Sequence, residues 1–333
     1  MGAMEPEVDV ARAPDAGGSV AAVVVTHNRK GYLADLLPSL LAQTHSLDRV
    51  YVVDNASTDG TVDFLAQHYA DHPVVRTIRL DMNSGGSGGF HTGVVAAYLD
   101  GHEWFWLMDD DVVALPDGLE GLLRWADRAG VIHGRRIDFH GGDFSWQPRI
   151  NEWLGVPLPV LGDPFRHGRT VFDTNSGVFE GMLVSREVVA RIGPPDPRFF
   201  LTTDDAVYGL MASRVTRVVC VDHFSLRRRR PQRQVSLAVR HLNDSSDLSR
   251  FHIMRNRGYM AHYLIHLGTY HRVGFSVGTL LVFLKELFRL VFVERTIKGF
   301  GSLVRGWRES QVIRRLPWQP VGTAGLADRR STP

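Results

Sequence analysis

The sequence predicts an α/β protein built on a mainly parallel, doubly wound sheet flanked by helices, with a helical extension at the C-terminus. Three observations carry this. β-Branched runs alternate with amphipathic stretches through the first hundred or so residues, as in successive strand–helix units. The uncharged run Trp104-Phe105-Trp106-Leu107-Met108 ends abruptly in Asp109-Asp110-Asp111. Beyond residue 250 the apolar positions fall into two long helical stretches, 251–267 and 273–293.

Composition sets the outer limits. At 333 residues and 44% hydrophobic content, the chain can bury one large core and carry an appendage. Cys220 is the single cysteine, which excludes a disulfide framework or a cysteine-based zinc site and points to a reducing, cytosolic-side compartment. Residues 1–18 are small and acidic and lack the apolar run of a signal peptide, so a disordered tail is expected there. No stretch reaches the roughly 18 uncharged apolar residues of a membrane span.

Taken in order, residues 20–25 predict a first strand that ends in Thr26-His27-Asn28-Arg29, and Leu33, Leu36, Leu37, Leu40 and Leu41 then recur at helical spacing. Residues 49–53 predict a second strand, closed by Asp54-Asn55-Ala56-Ser57-Thr58-Asp59-Gly60-Thr61, a turn cluster that also caps a helix. A third strand is expected over 74–80. The stretch 83–93 holds Asn83, Gly85, Gly86, Gly88, Gly89 and Gly93 and reads as a turn before a helix over 94–99. Its glycines let backbone approach a ligand or pack tightly beneath one, and no GxxxxGK[ST] or GxGxxG register is present.

Three carboxylates at the end of a buried strand need a cation. Asp109 and Asp111, two apart, can converge on Mg²⁺ or Mn²⁺ that retains open positions for phosphate oxygens. A helix over 117–129 follows, and 134–170, rich in Gly, His, Trp, Arg and Pro, reads as a substrate-shaping insertion that supplies a lid. Within it Trp146 and Trp153 are candidates to stack on a sugar. Residues 171–184 predict an interrupted strand. Asp204 and Asp205 follow an aromatic run and open a helix, where either is a general-base candidate. His223, at the apparent end of strand 217–221, is a candidate metal ligand, and Arg228 in the run 227–233 is a candidate to neutralise a pyrophosphate.

The charge is divided unevenly. Residues 1–223 sum to −12 and 224–333 to +14, an acidic half and a basic half that faces an anionic partner. Nucleic acid is not the expected partner, because these cations are interleaved with Leu, Val and Phe runs. An anionic membrane surface or a lipid pyrophosphate suits that pattern, and a helical homo-oligomer interface is the alternative use of the same apolar faces.

In order, Thr26-His27-Asn28-Arg29, Val53-Asp54-Asn55 with Ser57-Thr58-Asp59-Gly60, the Gly-rich stretch and the triple Asp resemble an inverting family 2 glycosyltransferase of the GT-A fold. Asn83 to Phe90, Asp204-Asp205-Ala206 with Tyr208-Gly209, and Arg255-Asn256-Arg257-Gly258-Tyr259 resemble the actinobacterial galactofuranosyltransferases of cell-wall galactan synthesis, the galactan-initiating type being closer in length. The resemblance implies a GT-A catalytic domain over 19–235, with a nucleotide-binding half at 19–115 and an acceptor half at 116–235. A membrane-proximal helical region at 236–316 and a tail at 317–333 would follow. It implies a UDP-sugar site of Thr26, Asn28, Arg29, Asp54, Asn55, Asn83, Gly85, Gly86, Gly88, Gly89, Asp109 and Asp110, with Asp54 on the uracil or ribose. Mn²⁺ or Mg²⁺ would sit on Asp109, Asp111 and His223. Asp205 would be the base, with Asp204 second, and Trp146, Trp153 and Arg228 would meet a lipid-pyrophosphate-linked glycan. The enzyme would act peripherally on the cytoplasmic face of the membrane. The chain departs from the family at Val207, where an acid is usual, at Met211, near which an Arg is usual, and at Thr202-Thr203, where Lys-Trp is usual. The rival readings are a rhamnosyltransferase using dTDP-rhamnose and a non-catalytic nucleotide-sugar or nucleic-acid binding protein.

Overall fold

The computed structural model describes residues 18–144, 148–160, 162–231, 234–237, 240–243, 246–323 and 326. The first strand, β1 (Val20–Thr26), is buried at every position, as a β-branched run between two helical layers must be. It is followed by α1 (Lys30–Leu41), β2 (Arg49–Asp54), α2 (Thr61–Tyr69), β3 (Val75–Arg79), α3 (Gly85–Leu99) and β4 (Trp104–Asp109). Then come β5 (Val112–Ala114), α4 (Gly118–Leu123), β6 (Val131–Ile137), the hairpin β7 (Pro148–Asn151) and β8 (Val156–Pro159), β9 (Val171–Thr174) and β10 (Met182–Ser185). The series closes with α5 (Arg186–Ile192), α6 (Asp204–Ala212), β11 (Val218–Arg228) and a small hairpin, β12 (Gln234–Leu237) and β13 (Arg240–Asn243).

The main sheet runs β3-β2-β1-β4-β10-β6-β11-β5, with β9 also paired to β11. Strands β1 to β4 are mutually parallel, as are β6 and β11, and β10 lies antiparallel between the two sets. The mainly parallel sheet is thus as expected. The register sets Thr26 beside Asp54 and Val25 beside Asp109, so the carboxyl ends of β1, β2 and β4 form one ledge. Leu33, Leu36, Leu37 and Leu40 of α1 cover one face of the sheet together with Leu119 and Leu122 of α4. Phe90, Val94 and Ala97 of α3 cover the other, with Val188 and Tyr208.

Three local expectations change. The Gly-rich stretch is not a turn before a helix but the first turns of α3 itself. Glycine is a poor helix former, yet a Cβ at Gly89 or Gly93 would collide with Val25 or Val23, so close packing on β1 overrides propensity. The helix after the acids is the short α4, and 171–184 divides into β9 and β10, which sit at different places in the sheet.

The C-terminal part forms α7 (Asp247–Arg255), α8 (Arg257–His266), α9 (Arg272–Phe288), a π-helical turn at Arg289–Val293, and α10 (Phe300–Ile313). Phe199, Ala206, Val207 and Leu210 share one apolar cluster with Met260, Tyr263, Leu264 and Phe275, so this layer packs directly on α6. Among the described residues no helix is long and apolar enough to cross a membrane. Of the expected tail, 317–323 and 326 are described, and two of these residues pack on the fold. Trp318 stacks on His262 with ring centroids 5.3 Å apart, and Leu326 is buried against the sheet.

The basic residues of this layer are not uniformly outward. Arg257, 5% exposed, donates to the Leu154 and Phe275 carbonyls, and burial lowers it to about 9. Arg289 is buried against Glu286, and Arg255 bonds Glu309. Arg272, Arg295, Lys298, Arg305 and Arg308 are exposed. So are Val273, Val277, Leu280, Leu281, Leu284 and Phe288, which form one stripe along α9 at helical spacing.

Candidate active site

The ledge at the ends of β1, β2 and β4 collects most of the donor residues expected from the sequence. Asp54 is fully buried; its Oδ1 accepts the Ser57 N–H at 3.1 Å, while its Oδ2 has no hydrogen-bond partner and lies 3.9 Å from Arg79 Nε. A buried acceptor of this kind fits the imide N–H of a nucleobase. Asn28, in the left-handed region at φ 54°, accepts the Thr58 N–H at 2.7 Å and so ties the loop after β1 to the loop after β2. Asn55 is a brace: it accepts the Ser84 N–H and donates to the Gly85 carbonyl, both at 2.8 Å. Asn83 accepts the Gly85 N–H at 2.8 Å. Of the glycines, Gly85 (φ +73°) packs under the Phe200 carbonyl, Gly88 packs against Ser84 and Gly89 against Val25, whereas Gly86 faces open space.

The three acids take different roles. Asp110 turns inward, 1% exposed, and accepts from Thr26 Oγ1 and Arg29 Nη1, each at 2.7 Å. Arg29 also reaches Asp111 Oδ2 at 3.3 Å. Asp109 is held well above the usual carboxylate range by burial and by the charges of Asp111, Glu180 and Asp110. Carboxylates crowded in this way suit a hard cation, and Asp109 and Asp111 offer oxygen donors of the type Mg²⁺ and Mn²⁺ take. Among the described residues no group of three ligating side chains forms, so phosphate and water oxygens would complete the coordination.

His223 is not brought to these acids. β11 does not end there: its register against β6 shifts between Cys220 and Phe224, and the strand continues to Arg228. The bulge turns His223 toward α4, where its Nε2 lies 3.0 Å from the Asp117 carbonyl oxygen. The residue of this segment that meets Asp111 is Arg229, whose N–H donates to the Asp111 carbonyl at 2.8 Å. Arg228 is 6% exposed, donates Nε–H to Glu180 at 2.9 Å and lies 4.1 Å over the Phe144 ring. It therefore sits beside the acid cluster rather than on an outer surface.

Sequence reasoning missed Glu180 and Arg136. Glu180 acts on Asp109 by its charge, and Arg136, 4% exposed and 3.5 Å from Glu180, acts likewise on Asp205. This chain of charges links the acids of β4 to the acids of α6. The one available signal was a carboxylate inside the apolar run Val178-Phe179-Glu180-Gly181-Met182.

The paired acids also separate. Asp204 accepts from Ser87 Oγ, and burial raises its pKa. Asp205 is pushed up to about 7 by burial and by the Asp204 charge, against the pull of the Ala206 N–H and of Arg136. That is the range in which a carboxylate serves as a general base near neutrality.

On the acceptor side, Trp146 lies outside the described residues. Trp153 is 48% exposed and stacks on His271 at 5.3 Å, against Gly274, at the start of the α9 stripe. Within the insertion expected as a lid, Leu154 and Gly155 are held in place: Arg257 donates to both carbonyls, and Gly278 packs on Leu154.

Residues 21–193 match Glycosyl transferase family 2. The galactofuranosyltransferase GlfT1 of Mycobacterium tuberculosis is 31% identical over 201 residues, and that of Mycolicibacterium smegmatis 38% over 193. Each match covers 56% of this chain and 62% of the relative, so the similarity spans under two thirds of those proteins. The solved mannosyltransferase PcManGT from Pyrobaculum calidifontis, in complex with GDP-Man and Mn²⁺, shares the fold at a TM-score of 0.52 and 16% identity, over 91% of this chain and 77% of its own.

Proposed function

The chain belongs to glycosyl transferase family 2, and from that premise we propose that it is a metal-dependent, inverting galactofuranosyltransferase that uses UDP-galactofuranose. The acceptor in this reading is a polyprenyl-pyrophosphate-linked glycan of cell-wall galactan. The observation that carries the mechanism is the pairing of two acid groups, Asp109 with Asp111 at the end of β4 and Asp205 at the start of α6, linked through Glu180 and Arg136. The sugar rests on the likeness to the GlfT1 proteins.

Asp54 and the loops braced by Asn28 and Asn55 bind the nucleoside. Mn²⁺ or Mg²⁺ on Asp109 and Asp111 would offset the charge that develops on the diphosphate leaving group. Asp205 removes the proton from the acceptor hydroxyl. The freed oxygen pair bonds the anomeric carbon as the bond to the diphosphate oxygen breaks, UDP departs with the electron pair of that broken bond, and the single displacement inverts the centre. The α9 stripe with Trp153, bordered by Arg272, Arg295 and Lys298, would rest on an anionic cytoplasmic leaflet and bring a lipid-linked acceptor to the site.

The test is to offer UDP-galactofuranose or dTDP-rhamnose with a polyprenyl-pyrophosphate glycan and Mn²⁺, and to weigh the product by mass spectrometry. Extension by one or more hexoses from UDP-galactofuranose is expected. Turnover from dTDP-rhamnose alone would refute the donor assignment.

A further inference from the structure

We infer that Asn256, at the junction of α7 and α8, is a positioning residue for the base Asp205, acting through the loop 199–203; this rests on the assignment of Asp205 above. The loop is strained. Phe200, Thr202 and Thr203 adopt φ of 64°, 66° and 71°, the left-handed region that side chains other than glycine seldom enter and β-branched ones least of all. Thr203 is the residue before α6, so its backbone angles set the direction in which Asp204 and Asp205 leave the loop. A loop in such a conformation holds only if its surroundings over-determine it.

The last turn of α7 supplies those surroundings. Asn256 is fully buried, and its amide nitrogen lies 3.1, 2.8 and 3.0 Å from the carbonyl oxygens of Phe199, Leu201 and Thr202. Arg255 donates to the Arg198 carbonyl at 2.9 Å and to the Phe199 carbonyl at 3.3 Å. The His252 ring stacks on Phe200 with centroids 4.9 Å apart and planes 14° off parallel. From the opposite side the Ser87 N–H donates to the Phe200 carbonyl at 3.3 Å. A planar amide with two N–H groups can serve several carbonyls at once, which a carboxylate of the same shape cannot. The helical layer therefore does more than extend the fold, since it fixes the backbone that aims the base.

The experiment measures kcat, donor KM and UDP affinity for the full chain carrying Asn256→Ala or Arg255→Gln, each alone and combined with Asp205→Asn. The donor is whichever of the two nucleotide sugars the wild type turns over. Asn256→Ala is expected to lower kcat about 30-fold and Arg255→Gln about 5-fold, with donor KM and UDP affinity within about 3-fold. In the Asp205→Asn background neither change should remove more than about a further 2-fold, because both act through that carboxylate. The proposal is overturned if both single variants keep wild-type kcat, if their losses multiply with that of Asp205→Asn, or if UDP affinity falls in step with kcat. If Asn256→Ala fails to fold, as lost UDP binding and a lost thermal transition would show, Arg255→Gln decides alone. Should Asp205→Asn itself transfer sugar at the wild-type rate, the base assignment fails and the positioning role fails with it.

Discussion

Ser87 donates its hydroxyl hydrogen to the Asp204 carboxylate across 2.7 Å and so joins the first turn of α3 to the first turn of α6. The contact assigns different tasks to two adjacent acids. Asp204 is bonded to the framework, which leaves Asp205 as the proposed base. Removing the hydroxyl should leave a buried carboxylate short of a donor, so Ser87→Ala is expected to cost about 1–3 kcal/mol in denaturant unfolding. An unchanged midpoint and slope would show that this contact does not hold the two helices together.

The pH profile of kcat/KM follows from Asp205. A base must be unprotonated, and burial together with the Asp204 charge has pushed its pKa up to about 7, so activity should rise as the pH increases through that value. Asp204→Asn removes the neighbouring charge and should move the acid limb to lower pH. A profile that is flat between about pH 5 and about pH 8, or a limb unmoved by Asp204→Asn, contradicts the assignment.

Chelation should abolish transfer, and Mn²⁺ or Mg²⁺ should restore it. Calorimetry with UDP and Mn²⁺ locates the site: Asp111→Ala and Asp109→Ala should each weaken binding by on the order of 10²-fold. His223→Ala should change it less than about 3-fold, since that ring is held by Asp117. A metal requirement that survives Asp111→Ala would place the cation elsewhere.

The exposed stripe on α9 should carry membrane affinity. Co-sedimentation with vesicles that contain anionic lipid is expected at low salt, with little binding to neutral vesicles and a loss at high salt, when the contribution of roughly 1 kcal/mol per nearby cation is screened. Leu280→Glu with Leu284→Glu should abolish it while leaving UDP binding intact. A stable dimer that ignores anionic vesicles and dissociates in that double variant would identify the stripe as a subunit interface.

The order of strands and helices and the ledge with Thr26, Asp54 and Asp109 were legible in the sequence, because strand ends in a parallel sheet fall together wherever the chain alternates regularly. The misreadings came from tertiary context. Asp222-His223 looks like a strand end because two polar residues follow an apolar run, yet a bulge carries β11 past them. The glycines of α3 have low helix propensity and read as a turn, but the closeness of β1 requires them inside the helix. Arg255, Arg257 and Arg289 counted as surface charge in the composition and are instead turned inward onto carbonyls and carboxylates. Asn256 carries no periodic or charge signal at all; its role exists only because a strained loop from elsewhere in the chain arrives beside it.

The most direct measurement is steady-state transfer by Asp205→Asn, set beside UDP affinity in the same protein. The amide preserves shape and removes the base, so kcat is expected to fall by on the order of 10²-fold or more with UDP affinity nearly unchanged. Wild-type kcat, or a loss of UDP affinity that accounts for the whole defect, would contradict a base at Asp205.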